Sequence, residues 1–220
     1  MVITFSHPKG GVGKSTLCLN YLVYLQDKGI DFTCIDLDGQ NSISNANKLR
    51  AMHDNKPFNI KTFASTDSLI KFIDSHINEN LIIDSGGFDS AFNRIAVSMS
   101  DKVITPLSDA PFEIMRLMSF DEILSDIEKE LRKSKADFAI KSHLVLNRLN
   151  PSVKLIDSIL DPFRESKHYA FMDSIVRDRT LIKYSPTTGK GVLESKIRTS
   201  SDVAAKNEIL AFCKEVENLH

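Results

Sequence analysis

The residues best suited to chemistry form one short run near the start of the chain: Lys9, Gly10, Gly11, Val12, Gly13, Lys14, Ser15 and Thr16. Glycines let a backbone curl so that successive N–H groups point inward, where they cradle phosphate oxygens. Lys14 adds positive charge for the outer phosphates of a nucleotide, and the Ser15 hydroxyl is placed to ligate Mg²⁺. The strict pattern G-x-x-x-x-G-K-[ST] has Pro8 in place of its first glycine. The run therefore predicts a phosphate-binding loop of modified pattern.

Three aspartates follow apolar runs of strand length. Asp36 and Asp38 lie at the end of one run, and Asp84 directly follows Leu81–Ile83. A buried carboxylate is costly unless it meets a cation or a hydrogen-bond donor, so each is a candidate for the metal or water of a phosphate site. Two alternatives stay open: Asp36 or Asp38 caps a helix that begins near Gln40, and Asp84 begins a turn.

The elements that must position these groups alternate between strands and helices. We expect strands at Val2–Phe5, Phe32–Asp36, Leu81–Asp84, Lys102–Pro106 and Ala139–Leu146, with further ones at Phe58–Phe63 and Ala170–Val176. Helical patterns cover 15–28, 66–77, 112–134 and 152–164, and an apolar stripe from Ala205 to Leu219 marks a last helix. This alternation predicts an α/β fold with a doubly wound, mostly parallel sheet flanked by helices. No linker composition divides the chain, so we expect one domain over residues 1–220.

Composition excludes several other classes. The 220 residues are 42% hydrophobic and 26% charged, which is typical of a soluble globular protein. We expect neither a transmembrane helix nor a signal peptide. Cys18, Cys34 and Cys213 are scattered, so they predict small buried side chains in a cytoplasmic protein. The net charge of −1 gives no global attraction to nucleic acid, so any such binding requires a local basic patch.

The loop K-G-G-x-G-K-[ST] resembles the deviant Walker A motif of the ParA/MinD family of P-loop ATPases. Other stretches resemble family motifs in the same order: the run from Cys34 through Gln40, the Walker B-like strand ending at Asp84, and the strand ending at Asn147 and Arg148. The sequence departs from the family where Gly39 replaces a usual proline, and where no proline occurs at 175–177. The resemblance covers nearly the whole chain, is strongest to small plasmid-type ParA proteins, and implies a P-loop NTPase fold.

The resemblance also implies roles for individual residues. It implies ATP and Mg²⁺ as cofactors, with Ser15, Asp36 and Asp84 around the metal and Asp38 orienting the attacking water. Lys9 would reach across a nucleotide-sandwich homodimer to the partner's phosphates, so that hydrolysis needs two chains. Asn147 and Arg148 would contact the adenine. The alternatives are a solvated loop lysine at 9 and a plain strand-to-loop asparagine at 147. His7 is expected to be a structural neighbour of the loop.

Three functions compete at this point. The first is a partition ATPase, weak until a ParB-like centromere-binding protein stimulates it, that binds nonspecific DNA as an ATP dimer on the nucleoid. The second is a MinD-like membrane-cycling or other cargo-positioning ATPase, and the third a non-hydrolysing regulatory protein. The last helix mixes Lys and Glu on its polar face, which argues against a membrane role. Residues 177–206, the basic segment, carry seven cations against three acids, and we predict DNA contacts at Arg177, Arg179, Lys183, Lys190, Lys196, Arg198 and Lys206.

Overall fold

A computed structural model describes residues 1–87 and 89–219. Within them seven strands form a sheet in the order β3-β2-β4-β1-β5-β6-β7. Every neighbouring pair is parallel. The strands are β1 (Val2–Phe5), β2 (Thr33–Asp36), β3 (Ile60–Lys61), β4 (Leu81–Asp84), β5 (Lys102–Leu107), β6 (Ser142–Leu149) and β7 (Tyr169–Arg177). The predicted doubly wound parallel sheet is confirmed.

Helices cover both faces of this sheet. They are α1 (Lys14–Asp27), α2 (Ser42–Met52), α3 (Thr66–Ser75), α4 (Ala91–Ser98), α5 (Pro111–Leu131), α6 (Asp157–Leu160), α7 (Thr180–Tyr184) and α8 (Ser200–Asn218). Short 3₁₀ turns follow α6 at Asp161–Phe163 and α7 at Ser185–Thr188. The apolar residues of α1, α2, α7 and α8 pack with Ile3 and Phe5 of β1 on one face. Those of α3, α4, α5 and α6 pack on the other.

Some predicted boundaries are wrong. The helix expected over 152–164 is only the four residues of α6 and a 3₁₀ turn that contains Pro162, a residue that cannot continue an α-helix. The strand expected over Ala139–Leu146 runs instead from Ser142 to Leu149. Asn147 therefore lies inside β6 and not at its end. The helix α4 carried no expectation from sequence.

The cysteines and the last helix agree with expectation. Cys18, Cys34 and Cys213 are free and buried. In the apolar stripe of α8, Ala205, Ile209, Phe212 and Val216 are fully buried against the body of the protein, and Leu219 is partly buried. Among the described residues, no helix is both long and apolar enough to cross a bilayer.

Candidate functional site

The loop between β1 and α1 has the backbone that a phosphate cradle needs. Gly11 and Gly13 adopt φ angles of 81° and 98°, which side-chain-bearing residues rarely take. Gly13 is the N-cap of α1, so the helix begins at Lys14 with free N–H groups and its positive dipole end at the loop. The strand, loop and helix follow one another in the order that the sequence predicted.

Lys14 is buried behind this loop. Its Nζ donates to the carbonyl oxygen of Lys9 at 2.9 Å, which folds the loop over the ammonium group. Burial lowers the pKa of Lys14, while the carboxylates of Asp84 and Asp38 act in the opposite direction. A buried cation inside a ring of backbone donors is suited to a polyanionic ligand such as a triphosphate.

The carboxyl ends of β2 and β4 bring Asp36 and Asp84 side by side, since these residues are register partners. Neither oxygen of the fully buried Asp84 has a hydrogen-bond partner within residues 1–87 and 89–219. Burial raises the pKa of Asp84 to about 7; the Ser15 hydroxyl and Lys14 oppose that rise, and Asp36 adds to it. A buried carboxylate without a partner, beside a loop hydroxyl, fits a site that a hydrated Mg²⁺ completes.

Asp36 also accepts hydrogen bonds from the first turn of α2. Its Oδ2 accepts from the backbone N–H of Ser44 at 2.9 Å and from the Ser44 hydroxyl at 2.6 Å, and its Oδ1 accepts from the N–H of Asp38. The helix-capping alternative is thus present in the structure for Asp36, in the first turn of α2. Asp38 lies at the cavity wall, where it accepts from the N–H of Gln40 and the hydroxyl of Ser42.

Asn147 and Arg148 support the loop from β6. The Asn147 amide nitrogen donates to the carbonyl oxygen of Val12 at 2.8 Å, and its Oδ1 has no partner among the described residues. Arg148 has a φ of 58° at a bulge in β6 and donates to the carbonyl oxygen of Gly11. Both residues therefore hold the loop. The Oδ1 atom of Asn147 is the side-chain atom left to contact the adenine of a nucleotide.

One cavity of about 750 Å³, within the usual range for small-molecule sites, is lined by the loop together with Asp38, Asn147 and Arg148. The predicted metal residues Asp36 and Asp84 do not line it. Of the predicted nucleotide-binding residues, Lys9 and Val12 do not line it: the Lys9 side chain pairs with Glu113, and Val12 is buried. The start of the basic segment also lines the cavity. The cavity is lined by Gly10, Gly11, Gly13, Lys14, Ser15, Thr16, Asp38, Gly39, Gln40, Ser42, Gly87, Asn147, Arg148, Arg177, Asp178, Arg179, Ile182 and Lys183.

Lys9 contacts a residue that sequence reasoning missed. Its Nζ lies 3.1 Å from Oε1 of Glu113 in the first turn of α5, and the Ser108 hydroxyl donates to the other oxygen. Burial acts to raise the pKa of Glu113, but the Ser108 hydroxyl and Lys9 outweigh it and hold the pKa below its usual value. In this single chain Lys9 is held by Glu113, and not by the phosphate site of its own loop.

His7 is buried beneath the loop, and its Nδ1 accepts from the N–H of Lys9 at 3.0 Å. Burial and, to a smaller extent, the charge of Lys14 lower the pKa of His7 to about 3, so the ring is neutral at physiological pH. Gly87 is the other residue that the sequence did not single out. A Cβ there would lie 2.5 Å from the backbone nitrogen of Gly10, so only glycine fits against the loop.

Some basic side chains of the basic segment make internal contacts, whereas others are exposed to solvent. Arg177 donates to the carbonyl oxygens of Asn150, Pro151 and Val153, and Lys206 to that of Leu193. Arg179 forms an ion pair with Glu208 of α8, an acid outside the counted segment. Lys196 and Arg198 are exposed, Lys183 lies over the Tyr184 ring, and Lys190 is half-buried. Lys183, Lys190, Lys196 and Arg198 are thus more available to a polyanion than the other three.

The comparison with known families agrees with this geometry. A family model described as the CobQ/CobB/MinD/ParA nucleotide binding domain matches residues 3–192. That span includes the loop, the three aspartates, Asn147 and the start of the basic segment. The chain belongs to this family. Its ParA/MinD members are nucleotide-hydrolysing P-loop ATPases, so the resemblance stated above is confirmed.

Individual relatives come from two branches of the family. The septum site-determining protein MinD of Helicobacter pylori is 24% identical, with 70% of this chain and 68% of that protein covered. A putative plasmid partition protein of Borrelia burgdorferi, solved with AMPPNP, has a TM-score of 0.61 at 16% identity, covering 97% and 98% of the two chains. MinD of Pyrococcus horikoshii, solved with Mg-ADP, has a TM-score of 0.64 at 16% identity, covering 99% and 96%. At these identities the solved structures show a shared fold.

The arrangement is suited to phosphoryl transfer, which depends chiefly on positioning and charge neutralisation. The loop N–H groups and Lys14 would hold the phosphates, and Ser15 and Asp84 would hold Mg²⁺ directly or through water. Bound Mg²⁺ supplies charge neutralisation between the outer phosphates. Asp38, at the cavity wall, would be the carboxylate that orients a water. In the described part of the chain, no group of three or more His, Cys, Asp or Glu side chains is arranged to hold a metal by itself.

Proposed function

We propose that this chain is a ParA-type partition ATPase. It binds MgATP in the cavity, pairs with a second copy through the nucleotide, and in that state binds DNA without sequence preference. Lys9 leaves Glu113 and contacts the phosphates of the partner chain, so hydrolysis depends on both copies. The chain acts as a single nucleotide-binding domain on the nucleoid, and a ParB-like centromere-binding protein stimulates its turnover.

The observation that carries the DNA-binding part is the continuity of the nucleotide cavity with the basic segment. Lys14 and Ser15 line the same cavity as Arg177, Arg179 and Lys183. A nucleotide that fills the cavity therefore touches the segment whose later residues, Lys196 and Arg198, are exposed. The buried apolar stripe of α8 supports this function over membrane binding, because a helix packed on the body has no free apolar face for lipid.

The test is duplex DNA binding with MgATP, with MgADP and without nucleotide, over a series of salt concentrations. Binding should require ATP, ignore sequence and weaken with salt, with a log–log slope of about −0.9 per phosphate contact. A Lys190/Lys196/Arg198 triple alanine should weaken binding and flatten that slope without impairing the fold. The triple alanine at Arg177, Arg179 and Lys206 is less informative, because these three side chains also make internal contacts.

A matched control removes three positive charges elsewhere. Lys129, Lys133 and Lys135 are exposed at the end of α5, on the opposite face of the sheet from α1 and α8. Their triple alanine should leave DNA binding unchanged. Equal DNA affinity in all three nucleotide states would contradict the proposal. Tight binding to anionic vesicles with none to DNA would favour the MinD-like function instead.

A further inference from the structure

Arg50, near the end of α2, is the largest fully buried side chain of the described residues. Its guanidinium makes five hydrogen bonds, as many as it has N–H donors. Two go to the carboxylate of Glu194 at 2.7 and 2.8 Å. The others go to the carbonyl oxygens of Lys56 and Gly189 and to the side chain of Gln26. A buried guanidinium of this kind fixes the relative positions of every group that it contacts.

The groups fixed by Arg50 include the middle of the basic segment. Gly189 has a φ of 68°, and a Cβ there would lie 2.6 Å from the carbonyl oxygen of Ala46, so this backbone rests directly on α2. The N–H of Gly191 donates to Glu194, and the N–H of Val192 to the Asn20 side chain of α1. Residues 189–194 are therefore held against α2 and α1, immediately before the exposed Lys196.

The other end of α2 is fastened to the nucleotide site. Ser44 donates twice to Asp36, and the Ser42 hydroxyl donates to Asp38. Ser44 and Arg50 are six residues apart, which is about 9 Å along a helix. A change at Asp36 when a nucleotide binds is therefore passed to Ser44, which lies less than two helical turns from Arg50.

We propose that Arg50 is a positioning residue that makes α2 and residues 189–194 move as one unit. Through it, the occupant of the nucleotide cavity sets the position of the basic segment. The inference rests on the proposed function, because it assumes that the cavity binds a nucleotide. It adds the route by which that nucleotide controls the DNA-binding surface.

The physical basis is a single element with contacts at both sites. Asp36 and Asp38 are the carboxylates expected beside the metal and the attacking water, so loading the cavity changes what they bind. Close-packed elements shift as units and do not deform continuously, so a displaced first turn of α2 carries Arg50 and Glu194 with it. Contiguous packing of this kind is a physical route along which two sites can be coupled, and the exchange experiment below tests whether α2 carries that coupling.

The test is hydrogen–deuterium exchange of the full chain, alone and with Mg-AMPPNP. Exchange should slow together in the phosphate loop, in residues 42–52 and in residues 189–194, the last by about fivefold or more. In Arg50→Lys and Glu194→Gln, the slowing in the loop and in 42–52 should remain while that in 189–194 is lost. AMPPNP affinity, measured by calorimetry, should stay at the parent value. A merely structural role would instead alter exchange equally with and without nucleotide.

Lys28→Gln is the matched control, because Lys28 joins α1 to Glu217 of α8 by an ion pair that bypasses α2. It should retain the parent response. The parent protein by itself already tests the inference. If Mg-AMPPNP protects the loop and residues 42–52 but leaves exchange in residues 189–194 unchanged, the inference is overturned while the nucleotide-binding function stands. If Mg-AMPPNP slows exchange in none of these segments, both the nucleotide-binding function and the inference are overturned. A parent-like response in both Arg50→Lys and Glu194→Gln also overturns it.

Discussion

The three glycines of the phosphate loop provide a graded test of its geometry. Gly10 lies outside the left-handed region, and a Cβ there would meet nothing within 4 Å. At Gly11 the space is equally open, but φ is 81°. At Gly13, φ is 98° and a Cβ would also overlap the amide nitrogen of Asn147. Alanine should therefore impose no penalty at position 10 and a backbone penalty at position 11. At position 13 it should impose both a backbone penalty and a steric clash.

The expected changes in unfolding free energy follow from these differences. Gly10→Ala should be neutral or stabilise by about 0.4–1 kcal/mol, because it restricts the unfolded chain. Gly11→Ala should cost about 1–2 kcal/mol for a left-handed alanine. Gly13→Ala should cost about 2–5 kcal/mol, since it also displaces the Asn147 amide from the buried carbonyl oxygen of Val12.

Urea unfolding without nucleotide measures this order directly. The double variant Gly13→Ala/Asn147→Ala isolates the clash, because the side chain that the new methyl group meets is gone. The two substitutions should then be less than additive, by about 1–3 kcal/mol. Equal effects at the three glycines, or strict additivity in the double variant, would show that the loop does not pack against β6 as described.

Three further predictions concern single side chains of the site. Lys14→Ala should abolish ATP affinity in calorimetry while circular dichroism shows a folded chain; undiminished binding would remove the phosphate-loop assignment. Asp36→Ala should cost about 0.5–2 kcal/mol in urea unfolding even without Mg²⁺, because the first turn of α2 loses its cap; an unchanged stability would contradict the capping role. The folded-state pKa of His7, about 3, lies below its unfolded value of 6.5. The unfolded chain alone therefore takes up this proton as pH falls below 6.5, and stability drops by about 1.4 kcal/mol per pH unit relative to His7→Asn. Parallel stability–pH curves for the two proteins would refute that.

The sequence predicts the sheet and the loop because both have local signals. Runs such as Leu81–Ile83 are apolar throughout, as is typical of strands buried on both faces. The glycine and lysine spacing of the loop is distinctive in any context. The roles of Gly87 and Gly189 were missed because the backbone that each must clear belongs to a distant part of the chain.

Charge contacts across the fold were the least predictable feature. Glu113 lies 104 residues from Lys9, and Glu194 lies 144 residues from Arg50. No spacing rule links such positions, since the pairing depends on how helices settle on the sheet. The same limit affected the basic segment: its charge sum included Glu194, which Arg50 neutralises, and omitted Glu208, which neutralises Arg179.

In the proposed function, ATP joins two copies of this chain through Lys9. Sedimentation velocity of Asp38→Ala and Lys9→Ala, each with MgATP and with MgADP, tests it most directly. Asp38→Ala keeps the phosphate cradle, so with MgATP it should sediment as a dimer of the 24.7 kDa chain and with MgADP as a monomer. Lys9→Ala should bind ATP and stay monomeric in both. A Lys9→Ala protein that dimerises with MgATP as Asp38→Ala does would contradict the account.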